Sequence, residues 1–239
     1  MAGVAVCFDL ELDGNVILCA ATAWTNGLIT VPQLWSQQTR SGFVPLNEST
    51  LEALIISLHG CYKQGIALVT WGGTGSDWKA LYNAARLEIK PLVKEMALHS
   101  IDIPLISSAA NGMMMGLTSA ALGMGMGHRP ACESQDVPAF WNSGDVKKQN
   151  EVLLHVQWDA GICANIYNHL YAECQVRRPM LTWITKKGET RYVRLQRVRT
   201  ISGAHELPRI EDILQWGEPV CNFPIPDSLH PKTMLKWLM

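Results

Sequence analysis

The feature that most constrains the fold is a short apolar segment followed by a glycine-rich turn and a helix. Residues 66–71 (IALVTW) form the apolar segment, which is typical of a strand buried on both faces. Residues 72–77 (GGTGSD) form the turn into a helix that we place at about 76–86. A capping-box signature at 49–52 (STLE), followed by apolar residues at helical spacing, predicts an earlier helix that ends near Gly65. Strands that frame helices in this order predict an α/β or α+β layer fold.

The other segments fit the same layered arrangement. Apolar runs on either side of Asp13-Gly14-Asn15 predict a hairpin near the N-terminus. The predicted segments are strands at 4–12 and 16–24, a helix at 91–98, two short buried helices within 103–127 with a turn near 111–112, a loop at 128–145 and a long helix at 146–173. We therefore expect an α/β domain at 1–175 and a small basic, β-rich C-terminal appendage at 176–239.

Composition excludes several classes of protein. Of the 239 residues, 48% are apolar and 17% are charged, so the chain can bury a sizeable core and is not disordered. Seven scattered cysteines without a C-x-x-C pair argue against a zinc ribbon or a disulfide framework, and reduced thiols favour a cytoplasmic protein. The first residues lack the basic region of a signal peptide. The uncharged stretch 103–127 contains several glycines and Pro104, which favours buried helices over a membrane span, so we expect no membrane partner.

The charge is balanced over the chain, but one segment is strongly basic. Lysine and arginine number 20 against 21 acids, which argues against a wholly basic nucleic-acid coat protein. Residues 177–199 contain eight basic residues and one acid, Glu189, for a formal charge of +7. Lys187-Gly188 predicts a hairpin turn within this basic segment.

Four acids and one histidine are the candidates for chemistry. Asp9 and Glu11 share a face of the first strand, because residues i and i+2 of a strand point the same way. Asp77 follows the glycine-rich turn, and Asp159 lies in an apolar helix one turn after His155. Each residue alone has an ordinary interpretation. Asp9 and Glu11 can be a solvated strand end, and Asp77 can be a carboxylate at a helix start. Asp159 can be a paired acid, and His155 can be a structural histidine. Together, the four acids can converge around Mg²⁺ or Mn²⁺, which prefer oxygen ligands.

The order of these residues resembles the DEDD superfamily of 3′–5′ exonucleases, which have the ribonuclease H-like fold. The similarity is greatest to a little-characterised bacterial branch with a tyrosine-type third motif. Four motifs of that branch have counterparts here. W-N-G-x-G-F-D corresponds to residues 71–77 (WGGTGSD), and H-[IV]-D-x-x corresponds loosely to residues 99–102 (HSID). L-D-x-x-A-x-x-M-G corresponds to residues 117–125 (LTSAALGMG), and V-L-x-Y-x-x-x-D corresponds to residues 152–159 (VLLHVQWD). A tryptophan-containing strand with a lysine–glycine turn, Leu207-Pro208 and Pro226-Asp227 extend the resemblance over most of the chain.

The resemblance implies a mixed sheet flanked by helices and hydrolysis of phosphodiester bonds by a two-metal mechanism. It implies that Asp9, Glu11 and Asp159 hold the Mg²⁺ or Mn²⁺ ion that activates water. Asp9 would bridge to a second ion, which Asp77 would mainly hold. His155 stands in the family's tyrosine position and would orient or deprotonate the water, although the superfamily's histidine subclass places its histidine five residues before the aspartate rather than four. The nearby Asp102 is interpreted as structural.

Three departures from the family pattern leave alternatives open. Gly72 stands where the family has Asn, Ser76 where it has Phe, and His155 where it has Tyr. They suggest a catalytically lapsed relative that binds nucleic acid without cleaving it. A structural or partner-binding module, with the acids as surface decoration, is the other alternative.

The basic segment is a candidate surface for single-stranded DNA or RNA. Arg191, Arg194 and Arg197 would neutralise phosphates, while Trp183 and Tyr192 would offer stacking faces. The ordinary interpretation is a solvated hairpin face. A pocket for the ribose 2′-hydroxyl leaves no linear signature, so DNA and RNA are equally compatible with the sequence, and no protein partner is predicted.

Overall fold

The computed structural model describes residues 3–127, 132–216 and 236–238. Its strands are β1 (Ala5–Asp13), β2 (Val16–Thr25), β3 (Thr30–Trp35), β4 (Gln37–Thr39), β5 (Gly42–Val44), β6 (Ala67–Thr70), β7 (Ile101–Asp102), β8 (Met180–Ile184), β9 (Thr190–Arg194), β10 (Val198–Arg199) and β11 (His205–Glu206). Its α-helices are α1 (Glu48–Lys63), α2 (Asp77–Ala84), α3 (Lys90–His99), α4 (Ile103–Asn111), α5 (Leu117–Gly123), α6 (Val137–Asn142), α7 (Val146–Cys174) and α8 (Ile210–Gln215), and Ser134–Asp136 form a short 3₁₀ helix.

A five-stranded mixed sheet forms the centre of the fold. Its strand order is β3-β2-β1-β6-β7. The three strands β1, β2 and β3 pair antiparallel, whereas β6 and β7 run parallel to β1. β1 lies in the middle of the sheet, where Cys7 is opposite both Ala23 of β2 and Val69 of β6. The architecture is therefore α/β, with a mixed sheet flanked by helices, as the sequence predicts.

The two faces of β1 meet different helices. Phe8 points to one face and packs edge-on against Trp78 of α2, with ring centroids 4.6 Å apart. Cys7 points to the other face, where its thiol contacts that of Cys163 on α7. α7 crosses the sheet and contacts β1, β2, β3 and β6. Because Asp9 and Glu11 alternate with Phe8 along the strand, they lie on the α7 face.

Most predicted helix ends are confirmed, and two predictions are wrong. α1 ends at Lys63, just before Gly65 in the left-handed conformation, as expected. However, α1 begins earlier than the 49–52 signature suggested, because the Asn47 side chain accepts a hydrogen bond from the Thr50 N–H and caps the helix. The predicted loop 128–145 contains α6, which starts with a proline in its first turn, where proline is tolerated. Residues 128–131 of that loop lie outside the described residues.

The uncharged stretch 103–127 forms two short helices, α4 and α5. Gly112, with φ of 72°, ends α4 at the predicted turn. Among the helices of the described residues, none is both long and apolar enough to cross a membrane. The described cysteines are buried free thiols, and Cys221 lies outside the described residues.

The C-terminal segment packs onto the α/β core. β8 and β9 form the predicted hairpin around Lys187-Gly188, and the Ile210 N–H donates to the Ser100 carbonyl oxygen at 2.9 Å. The buried residues Leu181, Trp183 and Val193 belong to the same hydrophobic cluster as the central sheet. Pro226-Asp227 and most of the tail lie outside the described residues.

The contact between α5 and β8 generates the first prediction. A Cβ on Gly123 would lie 2.4 Å from the Trp183 Cα and 2.6 Å from the Thr182 carbonyl oxygen, both of which are backbone atoms. We expect Gly123→Ala to lower the free energy of unfolding by about 1–3 kcal/mol, which is the usual cost of overpacking. Urea denaturation followed by circular dichroism measures the change.

Gly60→Ala in α1 is the matched control. Its added methyl group meets nothing within 4 Å, so the gain in helix propensity should raise stability by up to about 1 kcal/mol. Equal denaturation midpoints for the two variants would contradict the close docking of β8 on α5.

Candidate metal centre

One cleft brings together the four acidic residues singled out in the sequence. Asp9 and Glu11 enter it from β1, Asp77 from the start of α2 and Asp159 from α7. The cleft has a volume of about 420 Å³, and its remaining lining residues are Leu10, Leu12, Trp71, Ser76, Gly116, Leu117, Thr118 and Ser134. Among the described residues that line it, none is lysine or arginine.

Sheet topology explains why residues distant in sequence meet at this cleft. β6 runs parallel to β1, so the turn that follows β6 lies at the edge of the sheet where β1 also ends. Ligands of open α/β sheets bind outside the carboxyl ends of their strands. Asp77, which follows the turn after β6, therefore reaches the acids of β1.

Glu11, His155 and Asp159 form a buried cluster within this site. Each offers one ligand atom, and the three atoms lie within 4.8 Å of one another. The His155 Nε2 atom is 3.0 Å from Glu11 Oε1 and 3.6 Å from Asp159 Oδ2. His155 and Asp159 are one helical turn apart, which places both side chains on the sheet side of α7. The two carboxylates and the imidazole can hold a metal ion.

The orientation of the His155 ring is set by a backbone carbonyl. Its Nδ1 atom lies 2.7 Å from the Cys132 carbonyl oxygen. A carbonyl oxygen only accepts hydrogen bonds, so Nδ1 carries the hydrogen and donates it. Nε2 is consequently the ring atom that faces the two carboxylates. The imidazole is fully buried and is not among the residues that line the cleft.

The protein disfavours ionisation of Asp77. Burial raises the pKa of its carboxyl to about 8, and the negative charges of Asp102, Glu11 and Asp159 add to this increase. The Ser76 hydroxyl donates a 3.0 Å hydrogen bond to Asp77, which only partly offsets the burial. Asp77 therefore keeps a proton near neutral pH unless a cation compensates its charge.

Asp102 holds the glycine-rich turn that presents Asp77. One of its carboxyl oxygens accepts hydrogen bonds from the Gly72 N–H at 3.1 Å and the Leu105 N–H at 3.3 Å, and the other accepts from the N–H and hydroxyl of Thr74. Asp102 is fully buried, and burial raises the pKa of its carboxyl despite these donors. Its contacts are those of a structural residue, in agreement with the interpretation from the sequence.

Three further contributors to the site were missed by reasoning from the sequence. The Cys132 carbonyl is a backbone group and has no side-chain signature. Ser134 lines the cleft from a segment predicted to be a loop. Trp237 donates its indole N–H to the Thr74 carbonyl oxygen at 2.9 Å, so the chain near its C-terminus contacts the glycine-rich turn.

Trp183 does not present the stacking face that the sequence suggested. It is 6% exposed, because its side of β8 packs against α5 and the core. Tyr192 pairs with Thr182 on the opposite face of the hairpin and is 67% exposed. Of the two aromatic residues proposed for stacking, only Tyr192 has an accessible ring.

The three candidate arginines do not share one surface. Arg197 donates to the Cys174 carbonyl oxygen at 2.8 Å and thereby caps the end of α7. Arg191 pairs with Glu189 at 2.7 Å. Arg194 lies two residues after Tyr192 on β9, so the two side chains share the exposed face of the hairpin, while Arg191 lies on the other face. The surface suited to phosphate contact is therefore smaller than the basic segment as a whole.

Comparison with known proteins does not assign the chain to a family. Neither the models of protein families nor the curated proteins that were searched match it. The chemistry of the cleft is therefore argued from its own residues.

The raised pKa of Asp77 generates the second prediction. This pKa is about 8 in the folded chain, against 3.8 for an ordinary aspartate. At any pH between these two values, the folded chain binds a proton at Asp77 that the unfolded chain does not. Stability consequently falls as the pH rises through this range. In the presence of a chelator, which removes bound cations, we expect the melting temperature to drop by several degrees between pH 5 and pH 8. For a chain of this size, each kcal/mol of lost stability lowers the melting temperature by about 2–4 °C. Asp77→Asn should reduce the drop, because the amide resembles the neutral carboxyl, and the raised pKa of Asp102 accounts for a further part of it.

Asp13→Asn is the control, since Asp13 lies on β1 but does not line the cleft. This variant should keep the pH dependence of the wild type. Thermal unfolding by circular dichroism at several pH values makes the comparison, and an unchanged pH dependence in Asp77→Asn would show that Asp77 ionises freely.

Proposed function

We propose that this protein is a divalent-metal-dependent 3′–5′ exonuclease that hydrolyses single-stranded nucleic acid. The observation that carries the proposal is the convergence of Asp9, Glu11, Asp77 and Asp159 on one cleft from three separate elements. This set of acids is the one that the resemblance to the DEDD exonucleases implies.

The side chains in the cleft fit divalent cations. Carboxylate oxygens are the ligands that Mg²⁺ and Mn²⁺ prefer, and buried carboxylates require a compensating charge. Asp9, Glu11 and Asp159 would hold one ion, while Asp77, together with Asp9, would hold a second. Bound divalent cations supply the charge that stabilises the attacking and leaving oxygens of a phosphodiester.

The fold and the rest of the cleft support the same proposal. A ribonuclease H-like domain has a mixed sheet flanked by helices, and the order β3-β2-β1-β6-β7 with acids on its central strand is compatible with that fold. Trp71 and Leu117 provide apolar surface beside the acids, on which a base or sugar can pack. Thr118 and Ser134 provide hydroxyls that can donate to a phosphate.

Two alternatives make different predictions for the same assay. A lapsed relative would bind an oligonucleotide without cleaving it, and a structural module would bind neither cation nor oligonucleotide. Hydrolysis of an end-labelled single strand, measured with Mg²⁺ or Mn²⁺ and again with a chelator, separates the three functions. Buried free thiols fit the cytoplasmic location that we also propose.

Asp9→Asn provides the sharpest test of hydrolysis. The change removes one negative charge from the cleft and alters little packing, so the fold should persist while activity is lost. Removing partners that merely support metal ligands costs ~10–100-fold, so the loss of a bridging carboxylate should exceed ~100-fold. Initial rates on a labelled oligonucleotide give the ratio, and circular dichroism checks the fold.

Asp13→Asn is the matched control because it removes the same charge from the same strand outside the cleft. We expect this variant to retain the wild-type rate. Near wild-type cleavage by Asp9→Asn would instead show that the cleft acids do not carry the reaction.

The exposed face of the β8–β9 hairpin generates the next prediction. α5 lines the cleft at Leu117 and Thr118 and contacts β8 at Gly123, so the hairpin that carries this face packs on the same helix that lines the cleft. We expect Arg194→Ala to weaken binding of a single strand and to reduce the salt dependence of log K by ~0.7 for the lost phosphate contact.

Arg197→Ala is the contrasting variant, because half-buried Arg197 donates to the Cys174 carbonyl oxygen at 2.8 Å, whereas exposed Arg194 makes a longer, 3.4 Å contact with the Arg178 carbonyl oxygen. It should lower stability but leave the salt slope unchanged. Fluorescence anisotropy at several salt concentrations measures the slopes. Equal slopes for wild type and Arg194→Ala would show that the exposed face of the hairpin contacts solvent rather than phosphates.

A further inference from the structure

We infer that His155 is itself a metal ligand, and that the site consequently prefers a nitrogen-accepting ion such as Mn²⁺ or Co²⁺ over Mg²⁺. This inference rests on the proposed function only in placing a divalent cation between Glu11 and Asp159. It replaces the expectation from the sequence that His155 deprotonates water, because a lone pair that coordinates a cation is not available to accept a proton.

The first argument is the way in which the imidazole is held. Metal-bound histidines commonly donate their other ring N–H to a backbone carbonyl or a carboxylate, which fixes the tautomer and the ring orientation. In His155, the Nδ1–H group donates to the Cys132 carbonyl oxygen at 2.7 Å, and Nε2 is directed at Glu11 and Asp159. The ring therefore presents its Nε2 atom to two carboxylates, and the ligand atoms of the three residues lie within 4.8 Å of one another.

The second argument is a comparison with His99 in the same chain. The Nδ1 atom of His99 also lies 2.8 Å from a backbone carbonyl, that of Glu95, and its Nε2 atom is 3.3 Å from Glu211. However, that histidine side chain is 31% exposed and meets one glutamate, as surface pairs do. His155 is fully buried and faces two acids from two elements. The second carboxylate and the burial distinguish a ligand set from a simple ion pair.

The third argument concerns the choice of metal. Mg²⁺ favours carboxylates and water in a strict octahedral arrangement, whereas imidazole nitrogen suits transition metals. Glu11 and Asp159 alone would form a site with only oxygen ligands. His155 adds one nitrogen ligand, so the selectivity of the cluster shifts toward ions that accept nitrogen.

Pulsed electron paramagnetic resonance on the full chain loaded with Mn²⁺ tests this ligation directly. We expect the wild type to show ¹⁴N modulation from a bound imidazole, which should disappear in His155→Gln and persist in the matched control His99→Gln. Labelling all histidines with ¹⁵N should replace the ¹⁴N signal in the wild type. This labelling experiment decides the question without a variant if His155→Gln does not fold.

Calorimetric titrations provide an independent readout. We expect His155→Gln to weaken Mn²⁺ binding by ~10–100-fold, as loss of metal-site partners does, while Mg²⁺ binding changes less than ~3-fold because Mg²⁺ gains little from nitrogen. Equal losses for both ions, or no nitrogen modulation in Mn²⁺-loaded wild type, would overturn the inference. Hydrolysis that persists with Mg²⁺ in that case would leave the proposed function standing.

Discussion

Mutual repulsion among buried carboxyl groups is the constraint on which the architecture of the cleft depends. Asp102 offsets part of this cost internally, because backbone N–H groups and the Thr74 hydroxyl donate to both of its oxygens. Within the described part of the chain, Asp77 accepts a hydrogen bond from Ser76 and retains a pKa raised to about 8. Asp102 thus has hydrogen-bond donors on both carboxyl oxygens, whereas the charge of Asp77 must be compensated by a proton or a cation. This difference separates a structural carboxylate from a candidate ligand.

The same constraint explains why the site is assembled from distant parts of the chain. Asp9 and Glu11 are neighbours on β1, whereas Asp77 of α2 and Asp159 of α7 approach them only when the sheet and its helices have packed. The apolar contacts that close this arrangement, such as Phe8 against Trp78, therefore offset the electrostatic cost of the cleft. Functional sites of this kind commonly cost the fold stability.

The sequence predicted the parts of the structure that depend on local pattern. The strand–turn–helix unit before Asp77 and the one-turn spacing of His155 and Asp159 are local, and both are observed. What the sequence did not show depends on packing between distant elements. Trp183 is buried because α5 approaches β8 at Gly123. β3 was missed because its residues are largely exposed and include Pro32, which is compatible with an edge strand but weakens its pattern.

Under the proposed exonuclease function, the departures from the DEDD pattern that the sequence resembles would affect substrate contacts more than cation binding. Gly72 adopts a left-handed φ of 77° and donates its N–H to Asp102, so glycine keeps the backbone of the turn. Ser76 donates to Asp77 and keeps that carboxyl in place. Relative to the DEDD motif that the sequence resembles, an amide is absent at position 72 and an aromatic ring at position 76. All four carboxylates line the cleft. Under the proposed function, the groups that would hold cations are therefore present, and the two departures would change contacts with the substrate.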